Sequence, residues 1–131
     1  MIVIDTSVLV ALRLGEDDAP RLRDRIAKEQ RRLVPASCYL EFVLVSRLGE
    51  NRHDWLRDLL RHVRAEITPI DSTVAKVAAD AAERYGRGSG HRARLNFGDC
   101  FSYAVAKSFG APLLYKGGDF GHTDIESALA P

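Results

Sequence analysis

The first seven residues constrain this chain more than any other stretch: Met1-Ile2-Val3-Ile4 runs straight into Asp5-Thr6-Ser7. Three consecutive β-branched side chains with no polar alternation require a strand covered on both faces, as in a parallel sheet between helical layers. The carboxylate and two hydroxyls that end the run are residues that cap a helix, here one carrying Val8, Leu9, Leu12 and Leu14. The alternation continues. A charged helix is predicted over 19–32 on the spacing of Leu22, Ile26 and Leu33, and a strand at Leu33-Val34-Pro35. An apolar helix over 37–48 follows, closed by Gly49, then an amphipathic helix over 53–65 with Trp55, Leu56, Leu59, Leu60 and Val63 inward. A third strand is expected over 67–70, and Asp71-Ser72 should cap an Ala-rich helix over 73–85. Residues 86–96 lose the apolar period, a helix resumes over 98–109, a strand spans 112–115, and Gly117-Gly118 turns the chain. Strands alternating with helices predict an α/β fold with a central, mainly parallel sheet of four to five short strands flanked by helices.

At 131 residues the chain is expected to form a single domain, 1–131, since two halves would each be short of core. Nineteen basic against eighteen acidic side chains leave a net charge of +1, which argues against a polyelectrolyte that binds nucleic acid over its whole surface. A nucleic-acid contact must come from a local patch. Fifteen of the nineteen basic residues are Arg, the better bidentate ligand for phosphate, although Arg-richness can also follow from base composition of the gene. Cys38 and Cys100 are too few for a disulfide framework and lack metal-pair spacing. With no basic leader and no long apolar run, neither a signal peptide nor a membrane span is expected, and the localisation expected is cytoplasmic.

Four carboxylates fall where such a fold gathers ligands. Asp5 ends the first strand and Asp119 follows the last; open α/β sheets bind beyond the carboxyl ends of their strands, at a topological switch point. Each also has a plain structural role available, Asp5 as a helix cap and Asp119 as a turn residue. Glu41 shares a helical stripe with Cys38, Val45 and Leu48 among Tyr39, Leu40, Phe42, Val43 and Leu44. A carboxylate there is costly unless paired or metal-bound. Asp99 opens the helix after Leu95-Asn96-Phe97-Gly98, where a first-turn acid complements the helix dipole. Asp124 reads as structural, within a capping box from Thr123 to Glu126. If the four acids converge, two of them about 4 Å apart repel by roughly 4 kcal/mol at an effective dielectric near 20. An all-oxygen set of this kind suits Mg²⁺ or Mn²⁺ and phosphoryl chemistry with an activated water. Spacing alone leaves convergence open.

The phrases Val3-Ile4-Asp5-Thr6-Ser7, Asn96-Phe97-Gly98-Asp99-Cys100-Phe101-Ser102-Tyr103-Ala104 and Leu113-Leu114-Tyr115-Lys116-Gly117-Gly118-Asp119-Phe120, with the helical Glu41, resemble the PIN-domain nucleases. Within that family the chain is most similar to the VapC-type ribonuclease toxins. The resemblance implies a PIN-like three-layer fold, Mg²⁺-dependent endoribonuclease activity on RNA (tRNA or rRNA among the substrates), a homodimer, and neutralisation by a VapB-type antitoxin. It implies Asp5 and Asp99 as core metal ligands, Glu41 as a direct or water-mediated ligand, and Asp119 as the fourth acid, with all four catalytic. Thr6 would support the site through its hydroxyl. The chain departs from the pattern at Gly118, where relatives often carry an acid. That departure bears on a second metal.

Thr6, Arg87, Arg92 and Arg94 are the expected RNA contacts, the arginines lying with His91 in the loop ahead of Asp99. The apolar helix over 37–48 and the Trp55 helix could offer a groove to a partner. Two other readings compete. One is a catalytically silent RNA- or protein-binding module. The other is an aspartyl-phosphate phosphatase or receiver-like domain, against which stand Ser7 in place of a second Asp and Asp54 within a helical pattern.

Overall fold

In the computed structural model, which describes residues 1–129, four strands form one all-parallel sheet in the order β3-β2-β1-β4. Strand β1 (Ile2–Ile4) lies at the centre of the pairing, between β2 (Arg32–Pro35) and β4 (Leu113–Leu114), and β3 (Ala65–Thr68) takes the edge beyond β2. Val3 pairs with Leu33 on one side and Leu113 on the other. Six helices cover the sheet: α1 (Thr6–Leu14), α2 (Ala19–Ala27), α3 (Ala36–Val43), α4 (Arg52–His62), α5 (Ser72–Tyr85) and α6 (Phe97–Phe109).

The opening run behaves as its composition requires, because successive side chains of a strand point to opposite faces. Ile2 and Ile4 enter a core built from α1, α2, α3 and α4. Val3 enters a second core with Leu33 and Leu113 against α5 and α6. All three are fully or almost fully buried. The result is three layers with a core on each side of the sheet.

Several boundaries differ from the sequence reading, each for a tertiary reason. The helix expected over 19–32 stops at Ala27, because Arg32 belongs to β2 and its guanidinium takes the carbonyls of Ile26 (2.7 Å) and Ala27 (3.2 Å) as well as that of Val63 (2.8 Å). The apolar helix over 37–48 breaks after Val43 into a turn and a 3₁₀ segment, Ser46–Leu48. There Arg52 accepts the role of cap by donating to the Val43 carbonyl (2.6 Å), and Leu40 and Leu44 remain exposed. The third strand comes two residues early, at Ala65–Thr68, where its backbone pairs in register with Arg32–Pro35. No helix follows Thr123 among the described residues. Its hydroxyl closes a local turn instead, donating to the Phe120 carbonyl and accepting from the Ile125 amide, so the expected capping box is absent. Asp124 is still structural: it accepts from the Tyr103 hydroxyl (2.5 Å) and pairs with Lys107 (3.1 Å).

Arg-richness thus has a structural outlet. Arg13 donates to the carbonyls of Leu48 and Glu50, and Arg25 to that of Ala128, so much of the cationic complement closes helix ends and loops.

Candidate active site

The chain runs from β1 outward to β2 and β3, then returns past β1 to place β4 on its other side. The order therefore reverses between β1 and β4, and the crevice at their carboxyl ends is the switch point of the sheet. Asp5 sits there, tied by its amide to the Leu114 carbonyl (3.0 Å). Asp119 lies beyond β4, exposed, at the start of the 3₁₀ turn Phe120–His122.

Asp5 is both a cap and a site residue. Its Oδ2 accepts from the Ser7 amide (3.0 Å) and the Ser7 hydroxyl (2.7 Å), which starts α1. Its Oδ1 accepts from the hydroxyl of fully buried Ser102 on α6 (2.5 Å). Three donors hold this carboxylate as an acceptor on both oxygens and fix its orientation. Ser7 in turn accepts from the Lys116 amide (3.0 Å), linking α1 to the end of β4. Behind Ser102 stands Cys38, whose sulfur lies 3.2 Å from the Ser102 oxygen. Burial first, and then the Asp5 charge, push this thiol up to about 12, so it stays protonated. Because Ser102 spends its single proton on Asp5, the chain runs from thiol to hydroxyl to carboxylate.

Glu41 reaches the site from α3, half-buried, and accepts from the Thr6 hydroxyl at the start of α1. Burial raises its pKa, the Thr6 hydrogen bond opposes the rise, and the Asp5 charge adds to it. Asp99 comes from the first turn of α6, where it forms the capping box with Asn96: the Asp99 amide donates to Asn96 Oδ1 (2.8 Å) and the Asn96 amide to Asp99 Oδ2 (3.0 Å). Burial, opposed by the Asn96 hydrogen bond, pushes its carboxyl up to about 6, with further contributions from Asp5, Glu41 and Asp119. Asp99 thus feels the charges of the other three acids named from the sequence, and Glu41 feels that of Asp5.

None of the four takes part in a salt bridge among the described residues. Nor do any three His, Cys, Asp or Glu among those residues stand tightly enough together to hold an ion as they are. Carboxylates gathered in this way repel one another, and a cation or protons relieve the repulsion. In type the donors suit a hard divalent cation, being oxygen only and uncompensated.

Of the expected RNA contacts, Thr6 is 7% exposed and its hydroxyl is committed to Glu41, so it is a support of the acid cluster rather than a surface group. Arg87, Arg92 and Arg94 are exposed on the loop between α5 and α6. Phe97, two residues before Asp99, is 81% exposed and rests edge-on against Phe101. Ser7, Asn96, Phe97, Gly98 and Ser102 stand in the phrases quoted from the sequence but carry no site role in that reading. The signal for Ser102 was its place one helical turn beyond Asp99, which puts both on one face of α6.

Acids gathered at the switch point of a parallel sheet, with only oxygen donors, make a place for a hard cation and phosphoryl chemistry. The family model described as "PIN domain" matches residues 2–126, and the chain belongs to the PIN-domain family. Ribonuclease VapC30 of Mycobacterium tuberculosis is 43% identical over 131 residues, covering 98% of this chain and 99% of that protein. Among solved structures, M. tuberculosis VapC20, described as a sarcin-ricin loop cleaving toxin, superposes with a TM-score of 0.79 at 18% identity over the whole of both chains. VapBC2 of Rickettsia felis, bound to a DNA fragment from its promoter, matches with a TM-score of 0.72 at 13% identity, over 97% of this chain and 96% of that one. These two likenesses bear on the fold alone.

The expectation of an aspartyl-phosphate enzyme falls with the fold. Asp54 lies on α4 beside Arg57 rather than at a strand end, and Ser7 serves Asp5 as a hydrogen-bond donor.

Proposed function

We propose that this protein is a divalent-metal-dependent endoribonuclease of the VapC toxin type, working as a single domain over 1–131, with Asp5, Glu41, Asp99 and Asp119 as its site. The observation that carries the reading is that Asp5, Glu41 and Asp119 all bear on Asp99 at the switch point of the sheet, with no cationic partner among the described residues. Asp5 and Asp99 would hold Mg²⁺, or Mn²⁺ in its place, with Glu41 directly or through water. Such an ion, when bound, supplies positive charge for the phosphodiester's transition state and acidity to the attacking water. Ser7 and Ser102 hold Asp5 in place through both of its oxygens. Thr6 orients Glu41, and the Asn96 capping box fixes the rotamer of Asp99. Asp119, the most exposed of the four, would orient the attacking water or help to take its proton. Gly118 leaves the position before Asp119 without a side chain, which favours one well-held ion over two.

Arg87, Arg92 and Arg94 would track the RNA phosphates, and Phe97 offers a face on which a base can stack. Structured RNA such as tRNA or rRNA is the substrate class we assign, and a VapB-type antitoxin and a second copy of the chain are the protein partners. No helix among the described residues is long and apolar enough to cross a membrane.

The direct test is cleavage of a labelled RNA by purified wild type with Mg²⁺, with Mn²⁺ and with chelator. Cleavage should require the ion. Binding without cleavage under every ion would instead indicate a silent RNA-binding module.

Two further outcomes are expected. Ser102→Ala removes a charge-assisted bond to a buried carboxylate, so it should weaken Mn²⁺ binding by roughly tenfold and lower the melting temperature. Cys38→Ala, one step further from the acid, should affect Mn²⁺ binding far less; calorimetry on both variants checks this. The second concerns pH. Asp99 titrates near 6 in the folded chain against an ordinary value of 3.8. Between those values the folded state binds more protons than the unfolded one, so the metal-free protein should lose stability as pH rises from about 4 to 6 through this group. Mn²⁺ affinity should run the other way and fall as pH drops below about 6, since proton and cation compete. Calorimetric titrations at pH 5, 6 and 7.5 would reveal the opposite trends.

A further inference from the structure

Glycine is a poor residue inside a helix, because it loses more backbone freedom than alanine and packs nothing in return. Gly98 nevertheless occupies the second position of α6, between Phe97 and Asp99, with no left-handed backbone angle that would call for it. The explanation lies across the crevice. A Cβ placed on Gly98 would run into the carboxylate of Glu41: it would overlap Oε2 outright and stand 2.9 Å from Cδ and 3.2 Å from Oε1. Among the glycines of the described residues, no other would meet a site acid in this way.

Glu41 cannot yield freely. Its other oxygen is engaged by the Thr6 hydroxyl at the start of α1, and the side chain is half-buried between α3 and α6. The carboxylate is gripped between a hydroxyl donor on one side and bare backbone on the other. We infer that Gly98 is a positioning residue for Glu41: its missing side chain is what lets an acid from α3 reach the first turn of α6, beside Asp99. The inference rests on the reading of Glu41 as a metal ligand, direct or through water, and deepens it by naming what sets that ligand's place.

The expected behaviour separates function from fold. Because the obstructing atoms are the far end of a flexible side chain, Gly98→Ala should fold, displacing the Glu41 carboxylate and its bond to Thr6. The test is a cycle of wild type, Gly98→Ala, Glu41→Ala and the double variant, each followed by calorimetric Mn²⁺ titration and by melting in chelator. Gly98→Ala should weaken Mn²⁺ binding by roughly 10–100-fold, the range seen when a ligand loses its support, and should cause no further loss in the Glu41→Ala background. In chelator it should raise the melting temperature more in that background than in wild type, since the helix gain is no longer opposed by the displaced acid.

Unchanged Mn²⁺ affinity for Gly98→Ala, or an equal loss in both backgrounds, overturns the inference. If Glu41→Ala itself leaves Mn²⁺ affinity untouched while the coupling in melting temperature persists, the ligand role of Glu41 fails and takes the positioning role with it. The contact between the two residues then stands alone.

Discussion

Asp99→Asn is expected to reduce metal-dependent RNA cleavage by roughly 10³-fold or more, about 4 kcal/mol of transition-state stabilisation, while raising the melting temperature of the metal-free protein. The two effects share one cause. Asp99 is ionised at neutral pH against burial and against the charges of Asp5, Glu41 and Asp119, which is why its carboxyl titrates near 6. Neutralising it relieves that repulsion. The full shift corresponds to about 3 kcal/mol, but the group is half-buried and solvent screens it, so about 1 kcal/mol is the realistic gain. That is about 3–5 °C for a chain of this size. The cap survives, since an Asn oxygen can still accept from the Asn96 amide, as Asp99 Oδ2 does now. Asp5→Asn should abolish cleavage equally but should destabilise. Both Asp5 oxygens face donors from Ser7 and Ser102, and an amide nitrogen at either place would set donor against donor at a cost of about 1–3 kcal/mol. Melting curves in chelator together with a gel-based cleavage assay check both variants. A fall in melting temperature for Asp99→Asn would show that the acids are not in electrostatic conflict, and the proposed site would lose its main support.

The largest loss of stability is expected at Phe42. It is fully buried and stacked on Trp55, with ring centroids 5.6 Å apart and planes 14° from parallel. Trp55 is covered in turn by the Arg13 guanidinium, 5.4 Å from its centroid. Phe42→Ala should cost about 3–5 kcal/mol through lost burial and the cavity left behind. Against a total of roughly 5–15 kcal/mol for an ordinary domain, that corresponds to a fall of about 10–20 °C in melting temperature. The consequence reaches the proposed site, because α3 has only eight residues and fully buries just two of them, Cys38 and Phe42. Phe42 is the side chain that anchors the helix next to Glu41. Partial loss of the anchor should therefore weaken Mn²⁺ binding even at temperatures where the variant remains folded. Urea denaturation and calorimetry at 15 °C would measure the two effects separately. A change below about 1 kcal/mol would mean that the packing around α3 is looser than its burial indicates.

The acids do double duty, and this bears on how a nuclease site of this kind is maintained. Asp5 caps α1 and Asp99 closes the capping box of α6, so truncating either side chain would remove a helix cap together with an acid of the proposed site. Structural demands and those of the proposed chemistry coincide at these helix N-termini, where an anionic oxygen meets unpaired amides.

How much could be read from the chain alone follows from the range of the interactions involved. The burial of Ile2, Val3 and Ile4 on both faces, the caps at Asp5 and Asp71, and the α/β alternation are written in neighbouring residues, since strand and helix periods are local properties. The four acids could be named because each stands at a strand end or on a helix turn. Which residues surround them could not. Ser102 lies 97 positions from the Asp5 oxygen it serves, and Gly98 makes room for an acid on another helix. The early end of α2, the break after Val43 and the two-residue shift of β3 have the same origin: Arg32, Arg52 and the register of β2 act across the fold. Periodicity carries no information about a partner distant in the chain, so those decisions belong to the packed structure, where a guanidinium meets a carbonyl and a missing Cβ meets a carboxylate.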